Sequence, residues 1–222
     1  MARPREFEEQ AVLRKAMEVF WKDGFDGTTL RDLLEATGLS RSSLYETFGD
    51  KRSLFLAALD AYRQDRQQEL RAILDEGANG YKSIEGFLRM VVEHGDAPHY
   101  RYGCMSCNEA VETAPHDDEV RQLVARDFAG VEDAFLGAIR RGQADGSIGT
   151  AVPAARLARF LTVSLQGVHV MSRAGMSRQY LQDTVEQMLA SLAAGREESK
   201  RVRAPWYPSS CSRKRCRAGR AG

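Results

Sequence analysis

The chain has 222 residues, 43% of them apolar, which is enough to bury a sizeable core as one large domain or as a small one plus a larger one. Its net charge is only +1, but residues 196–222 carry 9 basic and 2 acidic side chains, so the body is mildly acidic and the tail strongly basic. No run of about 18 apolar residues is present, which argues against a membrane span. The charged start MARPREFEEQ lacks an apolar signal core and points to the cytoplasm, and four cysteines in this length make no disulfide framework.

The apolar spacing is helical throughout, with no convincing alternating strand and no internal repeat. Leu13, Ala16, Met17 and Phe20 mark one face of a first helix, ended by Gly24. Thr28 or Thr29 caps a second helix containing Leu30, Leu33 and Leu34, and Gly38 supplies the turn after it. Ser40 caps a third, short helix with Leu44 and Phe48 facing inward. Asp50 caps a long fourth helix running to about Asp75, with a stripe that includes Leu54, Phe55, Ala58, Tyr62, Leu70, Ile73 and Leu74. Further helices are expected from about Ser83 to Glu93, from near Cys104 to before Pro115, after the HDDE cap at residues 116–119, from Ala154 to Ser172 and from Ser177 to Ala194. The expectation is an all-α protein of about nine helices: a small three-helix unit at residues 1–50, a larger helical unit at 51–195, and a basic tail at 196–222 that cannot bury enough surface to order itself.

The segment TTLRDLLEATGLSRSSLYETFGDKRSLF, residues 28–55, raises a specific question, because its second short helix is polar where a core helix is apolar. A helix, a tight glycine-containing turn and a second helix make a helix-turn-helix, in which the second helix enters the major groove. Leu44 and Phe48 serve the inside, which leaves Arg41, Ser42, Ser43, Glu46 and Thr47 outside. Small side chains allow close approach to the groove, and hydroxyls with an arginine supply hydrogen bonds to phosphates and base edges. The bland alternative is a short surface helix in an ordinary bundle.

Several features occur together here: Thr29 opening the second helix, Gly38, Ser40, the Leu44-Tyr45 pair, Phe48, Lys51 and Leu54, preceded by AMEVFWKDGFDGTT at residues 16–29. This joint pattern, over about residues 8–60, closely resembles the DNA-binding region of the TetR/AcrR family of one-component repressors. The resemblance implies that Thr29 and Lys51 hold phosphates, that Tyr45 contacts backbone or a base methyl, and that Ser40, Arg41, Ser42 and Ser43 read sequence. It also implies a homodimer on a palindromic double-stranded DNA operator, formed through the last two helices and released by an unknown small-molecule inducer. Leu34 stands where a small residue is usual, Ser43 where glycine is common, and Thr47 where His or Tyr is common. Through Tyr62 there are 9 basic and 11 acidic side chains. The positive charge must therefore be local, from Arg31, Arg41, Lys51 and Arg52, with Arg3 and Arg5 on an N-terminal arm.

For the larger unit, Leu157, Leu161, Val168 and Met171 on the eighth helix, with Leu181, Val185, Met188 and Leu192 on the ninth, offer faces for a four-helix dimer seam or for internal core. Candidate ligand contacts are Met90, His94, Phe128, Phe135, His169 and Met171. Cys104 and Cys107 lie three apart near a helix N-terminus, a setting that can lower a thiol pKa and make a thiol-reactive sensor, although buried packing cysteines are the commoner case. His94, His99 and His116 are poorly spaced for zinc, so no metal or cofactor is expected. No catalytic triad or phosphate loop appears, so a non-enzymatic regulator is favoured over a helical thiol enzyme or redox sensor without DNA recognition.

Overall fold

The computed structural model describes residues 3–93 and 102–193, with residues 3–8 as backbone alone. Among the described residues there are nine α-helices and no strand. They are α1 (Arg3–Gly27), α2 (Leu30–Thr37), α3 (Arg41–Phe48), α4 (Lys51–Glu76), α5 (Gly80–Glu93), α6 (Met105–Glu112), α7 (Asp118–Ala144), α8 (Ala154–Arg173) and α9 (Arg178–Ala193). The Arg3 and Arg5 side chains, His94, His99 and the basic tail lie outside what is described.

Local chemistry sets the boundaries. Gly24 interrupts α1 at φ 74°, ψ 172°, a region open essentially to glycine alone, and so turns the chain toward α2. Thr29 caps α2 reciprocally: Asp32 N–H donates to Thr29 Oγ1 at 3.3 Å, and Thr29 N–H donates to Asp32 Oδ2 at 2.8 Å. Ser40 caps α3 by accepting from Ser43 N–H at 3.1 Å, and Asp50 caps α4 by accepting from Ser53 N–H at 2.6 Å. Asp117 caps α7 through Glu119 and Val120 N–H. Hydrogen bonds hold the Asp32 and Asp50 carboxyls below their ordinary pKa, chiefly that from the Thr29 hydroxyl to Asp32 and that from Ser53 N–H to Asp50.

Burial organises two cores. One gathers Leu70, Leu74, Leu88, Phe135, Ile139, Leu161, Leu165, Val185 and Met188 inside α4, α5, α7, α8 and α9. The other joins Ala16, Phe20, Leu33, Leu44, Leu54 and Phe55 of the N-terminal helices to Cys104, Met105, Val120, Leu123 and Val124. This second core crosses the boundary expected between residues 50 and 51, so the first half of α4 packs with both the N-terminal helices and the body. Phe20 meets Phe55 edge-on at 5.1 Å, and Trp21 meets Tyr62 edge-on at 5.0 Å. Each such pair is worth about 0.5–1.5 kcal/mol beyond its buried area.

The eighth and ninth helices choose between the two roles open to their apolar residues. Leu157, Leu161, Val168, Leu181, Val185, Met188 and Leu192 are all buried within the chain and form internal core rather than a seam. The apolar residues that remain exposed on these helices are Phe160, Val163, Val170, Met171 and Tyr180. α8 is apolar on two sides, and its inner stripe is consumed by α7 and α9.

Candidate nucleic-acid interface and ligand cavity

The outward face of α3 follows from its phase. Leu44 is fully buried and anchors the helix on the N-terminal core, while Phe48 is half-buried. Arg41, Ser42, Tyr45, Glu46 and Thr47 are exposed, and Ser43 is partly so. Gly38, in the left-handed conformation at φ 75°, closes α2 by donating its N–H to Leu34 O at 3.0 Å. Leu34 is half-buried and packs on the same core, so its bulk is accommodated. Ser40, Ser42 and Ser43 form one hydroxyl cluster, with Oγ separations of 3.0 and 2.9 Å from Ser40. The Arg41 guanidinium lies 5.6 Å from the Tyr45 ring centroid, which stacks two of the expected DNA contacts side by side on the surface. Arg31 is exposed at the start of α2.

Two expected phosphate contacts have structural engagements instead of free donors. Lys51 Nζ donates to Phe25 O at 2.6 Å and sits 4.4 Å from the Phe25 ring, tying the end of α1 to the start of α4. Thr29 Oγ1 is held by its own capping box, donating to Asp32 at 2.6 Å. Arg52 also faces the body: its guanidinium reaches Asp117 at 2.8–3.0 Å and Glu119 at 3.1 Å, linking the N-terminus of α4 to that of α7. Sequence reading placed Arg52 near DNA because nothing local signals a partner 65 residues away.

A cavity of about 60 Å³ lies between the N-terminal helices and the body. Its wall runs from Trp21 on α1 through Tyr62 and Arg66 on α4, Phe87 and Met90 on α5 and Asp127 on α7 to Gln166 and His169 on α8. The expected contacts Met90, His169 and Cys104 are brought together here. The others are not: Phe135 is fully buried against Phe87, Phe128 and Cys107 pack against the second core, and Met171 is exposed. Sequence reading missed Trp21, Tyr62, Asp127 and Gln166. Burial pushes the His169 imidazole down to about 4, with a smaller push from the Arg66 charge, so it is neutral at physiological pH. Burial likewise raises the Asp127 carboxyl.

Of the two readings open for the thiols, the same physics favours packing over a reactive sensor. Cys104 stands at the N-cap of α6, where the backbone favours a thiolate, yet its exposure is only 7%. Burial, reinforced by the Asp127 carboxylate, pushes the Cys104 pKa up to about 12, and burial also raises that of Cys107. Both thiols are therefore protonated at neutral pH. Among the described residues no group of three or more His, Cys, Asp or Glu side chains could hold a metal, and no helix is long and apolar enough to cross a membrane.

Two short helices with a left-handed glycine between them, a buried leucine anchor and a small polar outer face on a larger helical body define a helix-turn-helix DNA-binding regulator. Residues 12–58 match the family described as bacterial regulatory proteins, tetR family, and residues 80–188 match the tetracyclin repressor-like C-terminal domain. The HTH-type transcriptional regulator YezE of Bacillus subtilis is 32% identical over 86% of this chain and 100% of its own length. The HTH-type transcriptional repressor ComR of Escherichia coli is 30% identical over 81% of this chain and 86% of its own. A cysteine mutant of the TetR family regulator CifR, solved with 26-bp double-strand operator DNA, superposes with a TM-score of 0.74 at 30% identity, covering 85% of this chain and 99% of that one. The chain belongs to the TetR family of transcriptional regulators.

Proposed function

We propose that this protein is a homodimeric repressor that reads a palindromic operator with α3 and leaves it when a small molecule enters the cavity. One observation carries the ligand part. The cavity wall includes Trp21 of α1, which belongs to the DNA-binding head, and Gln166 and His169 of α8, which carries the exposed apolar face. A molecule lodged there touches the reading head and the dimer helix at once. Trp21 Nε1–H donates to Gly103 O at 3.1 Å, so displacement of the indole strains the segment leading into α6. A ligand that prefers one spacing of the two heads shifts the dimer toward it.

The DNA part rests on the outward residues of α3 and on the family, whose members include ComR, named as a repressor, and CifR, solved on operator DNA. Ser40, Arg41, Ser42, Ser43 and Tyr45 are the groove-facing set, with Arg31, Thr29 and the α4 N-terminus at Lys51 beside the phosphates. The dimer part rests on Phe160, Val163, Val170 and Met171. The last three follow Phe160 by 3, 10 and 11 residues, which puts all four in one exposed stripe on α8, and Tyr180 on α9 is exposed as well. A thiol-reactive signal is the weaker form of release, because Cys104 is buried and protonated.

The test is a Phe160→Glu, Val163→Arg double variant. It is expected to sediment as a monomer with an unchanged helical circular dichroism spectrum and to lose operator affinity by at least about 100-fold, since each half-site then binds alone. A variant that stays dimeric and binds as the parent does removes this face from the interface.

A further inference from the structure

We infer that the cavity takes a small uncharged molecule bearing a hydrogen-bond donor, an amide or alcohol of a few heavy atoms, with Gln166 as the acceptor that selects it. This rests on the reading that the cavity is the site of release.

Size sets the first bound. An apolar cavity of about 150 Å³ accommodates benzene, and a water needs about 10–15 Å³. At about 60 Å³ the present cavity fits a molecule of roughly four heavy atoms without rearrangement.

Charge sets the second. The wall holds Arg66, paired with Glu69, together with Asp127 and the neutral His169. Asp127 is 3% exposed, and Gln67 Nε2 donates to its Oδ1 at 3.4 Å. Arg66 is thus engaged by Glu69 and Asp127 by Gln67, so a charged ligand would have to compete with these partners while losing its own hydration beside Trp21, Tyr62 and Phe87. An uncharged ligand avoids the desolvation of its own charge.

The polar requirement comes from Gln166. Its Oε1 is buried and has no hydrogen-bond partner among the described residues. A buried acceptor left unpaired is costly, and a ligand that supplies a donor recovers that cost, whereas one of equal shape without a donor does not. Sites built around an unpaired polar group therefore discriminate strongly between donor and non-donor analogues.

Four planar probes of the same size separate these terms: acetamide, acetone, acetate and acetamidinium. Binding is followed on the DNA-free protein by chemical-shift changes of the cavity methyls of Met90 and Leu165. Acetamide is expected to bind about five- to tenfold more tightly than each of the other three, the range expected for one satisfied buried acceptor. In Gln166→Leu, or in Gln166→Met if the first does not fold, acetamide is expected to fall to the level of acetone while acetone is unchanged. Acetate or acetamidinium binding as well as acetamide, a preference for acetamide that survives loss of Gln166, or no binding by any probe up to its solubility limit overturns the assignment. A separate gel shift with acetamide reads operator release. Binding without release keeps the ligand class and removes the regulatory reading, and release without the donor preference does the reverse.

Discussion

Glu109 gives the body a pH-dependent stability that can be worked from its surroundings. It lies on α6, only 1% exposed, with the Thr113 hydroxyl donating to Oε2 at 2.7 Å. Burial is the main cause that pushes its pKa up to about 7. The Glu112 and Asp26 carboxylates add to the rise, and the Thr113 hydrogen bond and the Arg173 guanidinium oppose it. The unfolded carboxyl titrates at its ordinary value near 4.5. Between these two values the folded protein holds a proton that the unfolded chain has released, so stability is fully present below about pH 4.5 and falls as pH rises through about 7. The gap is worth roughly 3 kcal/mol once both states are ionised. Glu109→Gln keeps the shape and the acceptor for Thr113 but cannot ionise. Its stability advantage over the parent is therefore expected to grow from about 1 kcal/mol near pH 5.5 to about 3 kcal/mol near pH 8.5. Urea unfolding of both proteins across that range measures the difference, and all other titrating groups cancel between them. Parallel stability profiles, with a constant offset, would refute the placement of Glu109 as a buried acid.

Three further outcomes follow from the site. Arg41→Ala is expected to weaken operator binding by about 1–3 kcal/mol and to relax base preference at one position per half-site, measured by gel shift on single-base operator variants. Arg52→Ala and Asp117→Ala, combined in a double-mutant cycle of urea unfolding, are expected to give a coupling of about 0.5–1 kcal/mol that shrinks at high salt, because the pair is forked but partly exposed. In protein lacking Cys211 and Cys216, alkylation at pH 7 is expected to label the half-buried Cys107 before the buried Cys104, read by peptide mass spectrometry. Faster labelling of Cys104 would restore it as a poised sensor.

The parts legible in the sequence are those fixed by short-range chemistry. Thr29, Ser40, Asp50 and Asp117 act as caps because a small acceptor before an apolar-periodic segment satisfies N–H groups two or three residues on. Gly38 is legible because a turn with positive φ strains any other residue. The outward set on α3 followed from phase alone. What was not legible depended on distant partners. Leu161 and Val163 are both apolar, and only the packing of α8 on α7 and α9 decides that Leu161 is buried and Val163 is 72% exposed. Lys51 and Arg52 looked like free cations until Phe25 and Asp117 were placed beside them. The cavity draws on residues as far apart as Trp21 and His169, and no local pattern joins them. For Cys104 the sequence offers both a helix terminus and a buried packing site, and only its 7% exposure in the fold weighs between them.

The central claim is that two copies of α3, related by dimer symmetry, read DNA sequence. Selection of binding sites by the purified protein from a random-sequence duplex library tests it most directly, because the protein itself picks out the operator. The account predicts one enriched motif with two-fold symmetry, its half-sites about one helical turn or a multiple apart, and relaxed preference at one position of each half-site in Arg41→Ala. Enrichment of no motif, or of one without two-fold symmetry, would contradict it.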